Sequence, residues 1–308
     1  MIPAFDQTVQ PGGYAWWYLD AVSDDGAYGI TLIAFIGSVF SPYYAWSRRR
    51  GRGEPLAHCA VNVALYGPGG RWCMTERNRP AVSRTHDRLS IGPSALRWDG
   101  RALDVALEEW AVPIPRRVRG RVRLHPSVVN GEPIELDPDG RHRWTPVSPA
   151  ARVEVALAAP QLQWTGTGYL DHNTGSEPLE RCFDNWFWSR GATREGPVVL
   201  YETQLRSGDR RSLTLHFDHD GRRHELATPP VVGLPRTRWG IDRLTRSDDG
   251  QARVQATWED TPFYARSLVR TRLLDERVDA VHESLSLRRF SAPWVQLMLP
   301  FRMPRRTR

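Results

Sequence analysis

The sequence predicts an all-β protein made of antiparallel barrels or sandwiches, and three observations carry the prediction. Short apolar runs bounded by Gly, Pro, Asp or Asn recur along the chain. Asp-Gly pairs punctuate them, and Gly accepts the positive φ that tight hairpins require. The 3.6-residue apolar spacing of a surface helix is nearly absent. Strands of this kind joined by short turns close into antiparallel sheets.

The runs follow one another as YGITLIAFIGSVF from Tyr28, HCAVNVALYGPGG from His58, RLSIGPSALRWDG from Arg88, ARVEVALAAP from Ala151, GPVVLYETQL from Gly196 and RSLTLHFDHDG from Arg211. Asp99-Gly100, Asp139-Gly140, Asp220-Gly221 and Asp249-Gly250 read as hairpin tips. A faint repeat relates WWYLDAVSDDGAYGITL, from Trp16, to WFWSRGATREGPVVLYE, from Trp186, each with aromatic residues, a polar Gly turn and an apolar strand. If each copy opens one barrel, the domains are 1–163 and 164–308, divided in the Gly-rich stretch before FDNWFW.

At 308 residues and 40% hydrophobic, the chain can bury a core of that size. Its 13 Trp favour a greasy ligand, because a large ring with one polar edge suits a cavity or an interface. The net charge is +7, and every basic residue is arginine. Apart from runs at 47–52 and 304–308 these arginines are scattered, so nucleic acid is not an expected partner. A weak attraction to an anionic membrane surface is more in keeping with the charge.

Cys59, Cys73 and Cys182 are odd in number and show no C-x-x-C spacing, which predicts neither a disulfide framework nor a zinc knuckle and fits a reducing cytoplasm. The apolar run 30–40 is far short of the ~20 residues that span a bilayer. The opening MIPAFDQTVQPGG lacks the basic and apolar regions of a signal peptide. We therefore expect a cytoplasmic protein, soluble or peripheral to a membrane.

Dinucleotide, P-loop and serine-hydrolase motifs are missing. His216, His219 and His224 crowd together in LHFDHDGRRHE, but they straddle a hairpin tip, so a solvated turn is expected there and not a metal site. The informative pairs are His142 with Trp144, in RHRW, and Tyr169 with Asp171, in GTGYLDHNTG. Residues two apart on a strand share a face, so each pair can line one cavity. A carboxyl among aromatic rings in a dry pocket is penalised as an anion and can keep a proton to donate. Equally, Asp171 can open a polar turn with His172 and Asn173. The residues alone leave both readings open.

The blocks PGGYAWWYLDAVSDDGAYGITLIAFIGSVFSPYYAWS, HCAVNVALYG, RWCMTER and GYLDHNTGSEPLE, with WFWSRG beyond, closely resemble the acyclic carotenoid 1,2-hydratases, also called hydroxyneurosporene synthases. The last two are shared more widely with lipocalin-like double-barrel proteins that include pericyclases. The resemblance implies two lipocalin-like barrels, a substrate channel near their junction, a lycopene- or neurosporene-type substrate, water as co-substrate and no metal or organic cofactor. It also implies an acid centre combining His-x-Trp with Tyr-x-Asp, which here are His142, Trp144, Tyr169 and Asp171, with no position substituted. Trp17, Tyr43, Tyr44, Trp46, Asn173, Trp186 and Trp188 are the candidate substrate-lining residues, core packing being the competing reading for the aromatic ones. A pericyclase or isomerase on the same scaffold, or a carrier that turns nothing over, are the rival functions.

Overall fold

The computed structural model describes residue 2 and residues 4–306, so the last two positions of the 304–308 basic run lie outside the described residues. The chain divides into two compact units, residues 1–178 with 297–308 and residues 179–296.

The first unit is one long antiparallel sheet. It begins with β1 (Tyr14–Ser23), β2 (Gly29–Ile36), β3 (Cys59–Tyr66) and β4 (Arg71–Arg77). A meander follows through β5 (Val82–Arg84), β6 (Arg88–Ile91), β7 (Ser94–Trp98), β8 (Leu103–Trp110) and β9 (Arg117–Pro126). The short β10 (Ile134–Glu135) precedes two long strands, β11 (His142–Ala159) and β12 (Gln161–Gly175). The hydrogen-bonded order β4-β3-β2-β1-β12-β11-β9-β8-β7-β6-β5 brings the chain's first strand against its twelfth. β4 packs on β8 and β3 on β6, so the sheet curls on itself. One continuous apolar core fills the curl, with Trp17, Leu19, Ile30, Val61, Leu96, Val122, Val153 and Leu170 among its members.

Alternation explains which side faces that core. In β8, LDVALEEW, every second residue is buried, as expected of a strand with one dry and one wet face. β12 changes character along its length. Residues 161–167 alternate in exposure, whereas residues 168–173 are buried on both faces. In β11, residues 144–149 are likewise buried on both faces, so the stretches of β11 and β12 that pair there lie inside the protein.

β12 runs unbroken through residues 163 and 164, where it pairs with β11, and the compact units part at 178/179. Strand geometry also replaces the alternative of a polar turn at Asp171, His172 and Asn173. The segment that carries Tyr43, Tyr44 and Trp46 is a helix, α1 (Pro42–Arg49). Ser41 caps it, its Oγ accepting from the Tyr44 amide at 3.0 Å, and Pro42 occupies the first turn. Gly37, at φ +66°, turns the chain out of β2 toward that helix where a Cβ would lie 2.5 Å from the Gly13 carbonyl.

The second unit opens with α2 (Leu179–Cys182) and the strands β13 (Phe183–Thr193), β14 (Gly196–Leu205), β15 (Arg210–Phe217) and β16 (Arg223–Glu225). It continues through β17 (Val231–Leu234), β18 (Arg243–Arg246), β19 (Arg253–Asp260), β20 (Tyr264–Leu273) and β21 (Glu276–Ser286). The sheet order is β16-β15-β14-β13-β21-β20-β19. The separate β17–β18 hairpin is tied to this sheet by Arg243, which donates to Thr257 and Ser267, and by His282 on the Leu244 carbonyl at 2.7 Å. Asp249-Gly250 thus joins strands of different sheets and is not a hairpin tip, unlike the other three Asp-Gly pairs. Two helices, α3 (Leu287–Phe290) and α4 (Pro293–Arg302), lead to β22 (Arg305–Arg306), which returns to the first unit and pairs parallel with β4. Both units are therefore antiparallel β-structures of the barrel and sandwich kind, and the related hairpins β1–β2 and β13–β14 stand at the start of each.

Candidate active site

The candidate residues are gathered by register. Opposed residues in neighbouring antiparallel strands point to the same side. Across β1 and β12, Tyr18 faces Asp171, Trp16 faces Asn173, Asp20 faces Tyr169 and Tyr14 faces Gly175. Across β11 and β12, Trp144 faces Asn173 and His142 faces Gly175. Tyr169, Asp171, His142 and Trp144 consequently share the face turned away from the apolar core of Trp17, Leu19 and Leu170. That face is dry: Asp171 is 5% exposed, and His142, Trp144 and Tyr169 are fully buried.

Three neutral donors address the Asp171 carboxyl. Trp144 Nε1 donates to Oδ2 at 2.9 Å and the Tyr169 hydroxyl donates to the same oxygen at 3.0 Å. Asn173 Nδ2 donates to Oδ1 at 2.9 Å. Burial first, and then the Asp171 charge beside it, push the Tyr169 phenol well above its ordinary range, so it remains a donor at any working pH. Such donors stabilise the anion that appears when the carboxyl gives up its proton, while burial works the other way.

His142 stands beside this centre with its Nδ1 3.0 Å from the Tyr14 hydroxyl. Asp137 fixes the start of β11, its carboxylate accepting from the His142 amide at 2.7 Å and the Arg141 amide at 3.2 Å. Burial lowers the His142 imidazole to about 4, against the opposing pull of Asp137, so the ring is neutral near pH 7. Gly175 makes room for the pair, since a Cβ there would fall 2.4 Å from Tyr14 Cε1 and 2.8 Å from His142 Nδ1. Trp16 stacks on Tyr14 at 4.8 Å, and Tyr18 meets Tyr169 edge-on at 6.2 Å.

The remaining candidates divide. Asn173 belongs to the centre. Trp17 lies on the opposite face, packed in the core against Phe5 and His172. Tyr44 is a buried tether whose hydroxyl donates to the Gly13 carbonyl at 2.7 Å, while Tyr43 is half-buried beside Arg305. Trp46 is 53% exposed with the Arg50 guanidinium over its ring. Trp186 and Trp188 share one face of β13 in the second unit, where Trp186 meets Tyr201 at 5.7 Å. Of the clustered histidines, His216 and His224 face each other across β15–β16, but His219 Nε2 is spent on the Arg194 carbonyl at 3.0 Å and His224 Nε2 on Asp218 at 2.9 Å.

Sequence reasoning missed Tyr14, Asp20, Asp137 and Gly175 as members of the site. A signal for Tyr14 and Asp20 was present, because YAWWYLD places Tyr14, Trp16, Tyr18 and Asp20 on one strand face.

Fold and site together define a lipocalin-like β-protein with a buried, donor-ringed carboxyl on an aromatic face. The chain belongs to the carotenoid hydratase family: the family model "Carotenoid hydratase CrtC" matches residues 32–308. It is 58% identical to the acyclic carotenoid 1,2-hydratase of Thiocapsa roseopersicina over 98% of this chain and 76% of that one. It is 42% identical to the acyclic carotenoid 1,2-hydratase of Cereibacter sphaeroides, covering 89% of this chain and 98% of that one. Among solved structures, kievitone hydratase from Nectria haematococca shares the fold with a TM-score of 0.54 at 10% identity, over 92% of this chain and 97% of that one.

Proposed function

We propose that this hydro-lyase adds water across the terminal 1,2 double bond of an acyclic carotenoid of the lycopene or neurosporene type, with Asp171 as the acid. The observation that carries the reading is the Asp171 carboxyl held by Trp144, Tyr169 and Asn173 on a dry aromatic face. Family membership supplies the substrate class.

The Asp171 O–H bond breaks as a C–H bond forms at C2, leaving a tertiary cation at C1. The carboxylate left behind is met by its three donors, so their contribution grows as the proton leaves. The rings of Trp144 and Tyr169 offer negative faces to the cation, worth about 0.5–2 kcal/mol each. Water attacks C1, and neutral His142 serves as the acceptor that orients it. The proton lost by that water restores Asp171, and the product is a tertiary alcohol. These steps use side chains and water alone.

Among the described residues no helix is long and apolar enough to cross a membrane. We place the protein at the cytoplasmic face of the inner membrane, in peripheral contact with its anionic surface, because a polyene substrate resides in lipid. The direct test is incubation of purified protein with lycopene or neurosporene. A product heavier by one water supports hydration; binding with no change of mass would make the protein a carrier.

A further inference from the structure

Helix α4, PWVQLMLPFR, is anchored by one face only. Val295 and Leu299, four residues apart, are buried, and Met303 follows them just past the helix end. On the other side Trp294, Leu297, Met298 and Phe301 follow the i, i+3, i+4, i+7 spacing of a helical stripe and are 45%, 74%, 42% and 79% exposed. A surface helix ordinarily turns charged and polar residues to water. Here the outward stripe is apolar, and Arg302 is the helix's one charged residue. Trp239, itself exposed, stacks on Trp294 at 6.2 Å and widens the patch.

Arginines border the patch. Arg288 is exposed in α3, and Arg289 donates to the Trp239 carbonyl. Arg302 and Arg306 are exposed beyond the stripe, while Arg305 packs toward the Tyr43 ring of α1. Glu76, the carboxylate beside this tail, is buried and paired with Arg305 and His58. An apolar stripe edged by cations is complementary to a bilayer with anionic headgroups above its acyl chains. Tryptophan, with an apolar ring and an N–H, favours that boundary.

We infer that the exposed stripe of α4, with Trp239, is the element that docks the protein on an anionic lipid surface, its side chains entering the boundary between headgroups and acyl chains. The inference rests on the reading of a lipid-resident substrate given above. A second copy of the chain is a poorer occupant. Five side chains fall far short of the roughly 20–30 residues per side of a standard protein interface. A two-fold pairing of the stripe would also bring the same arginines face to face.

The test uses flotation of the whole protein with vesicles of phosphatidylcholine containing phosphatidylglycerol, and with phosphatidylcholine alone. Turnover of carotenoid in detergent micelles reports the fold and the chemistry independently. The expected results are flotation with the anionic vesicles, at least a tenfold weaker association for Leu297→Gln/Phe301→Gln, a smaller loss for Phe301→Ser alone, and unchanged micellar turnover for both variants. Arg288→Glu/Arg302→Glu should abolish the preference for anionic vesicles. If wild type and Leu297→Gln/Phe301→Gln float equally, α4 is not the docking element, though membrane contact stands. If wild type does not float, membrane contact itself is wrong and the inference falls with it. A wild-type dimer that the double variant dissociates would assign the stripe to self-association and overturn the lipid assignment.

Discussion

Trp144 Nε1 reaches across from β11 to donate to Asp171 Oδ2 on β12 at 2.9 Å, joining the His-x-Trp and Tyr-x-Asp pairs into one centre. Trp144 faces Asn173 in the register, so its indole leans one pleat along the strand to meet the carboxyl. Trp144→Phe keeps a ring there and removes the donor. We expect kcat to fall about 10- to 100-fold with KM nearly unchanged, the size of one lost hydrogen bond to a charged group. Steady-state hydration kinetics measure it; a change confined to KM would make Trp144 a substrate wall and nothing more.

Asn173 acts on the other oxygen, and its own carbonyl oxygen has no hydrogen-bond partner among the described residues. Asn173→Ala removes a donor that favours the anion, so the protonated acid should persist to higher pH. Activity should drop about tenfold at neutral pH while the alkaline limb of the kcat profile moves upward. An alkaline limb that moves downward would contradict the assignment.

Gly175→Ala tests the fit behind the centre. The added methyl meets Tyr14 and His142 at less than 3 Å, so strands or rings must shift. A loss of about 1–3 kcal/mol of stability is expected, together with reduced turnover, from melting and kinetic measurements. Wild-type melting and turnover would show that Tyr14 and His142 yield freely.

Acid should unfold the protein early. His142, His172 and His282 are each lowered to about 4 by burial. Between about 6.5 and about 4 the unfolded chain binds protons that these neutral folded rings do not. Stability is therefore full above the unfolded value and is lost as pH falls through this window, by on the order of 2–3 kcal/mol for each histidine. Urea midpoints at pH 7.5, 6 and 4.5 should decline in that order; equal midpoints would mean that the rings are solvated or protonated in the folded state.

The within-strand part of the site was legible because period two is a local property. Tyr169 with Asp171, and His142 with Trp144, needed no partner strand to be placed on common faces. The opposition of Tyr18 to Asp171 and of Tyr14 to Gly175 was not legible, since it depends on pairing between strands some 150 residues apart, and no local pattern fixes that register. The same holds for the return of β22 to β4 and for the boundary at 178/179, both set by tertiary contacts. The helix at 42–49 is a different kind of miss. Ser41-Pro42 is a helix-start signal, but three aromatic rings in eight residues favour a strand on propensity alone. Its consequence is large, because a helix turns Tyr44 inward and Trp46 outward where a strand would have put both on one side.

The most direct test of the account is turnover by Asp171→Asn, a change that preserves shape and removes the acidic proton. Purified variant with wild-type circular dichroism and melting should yield no lycopene or neurosporene product heavier by one water under conditions where the wild type converts its substrate. Wild-type hydration by Asp171→Asn would remove Asp171 from the acid role and contradict the mechanism.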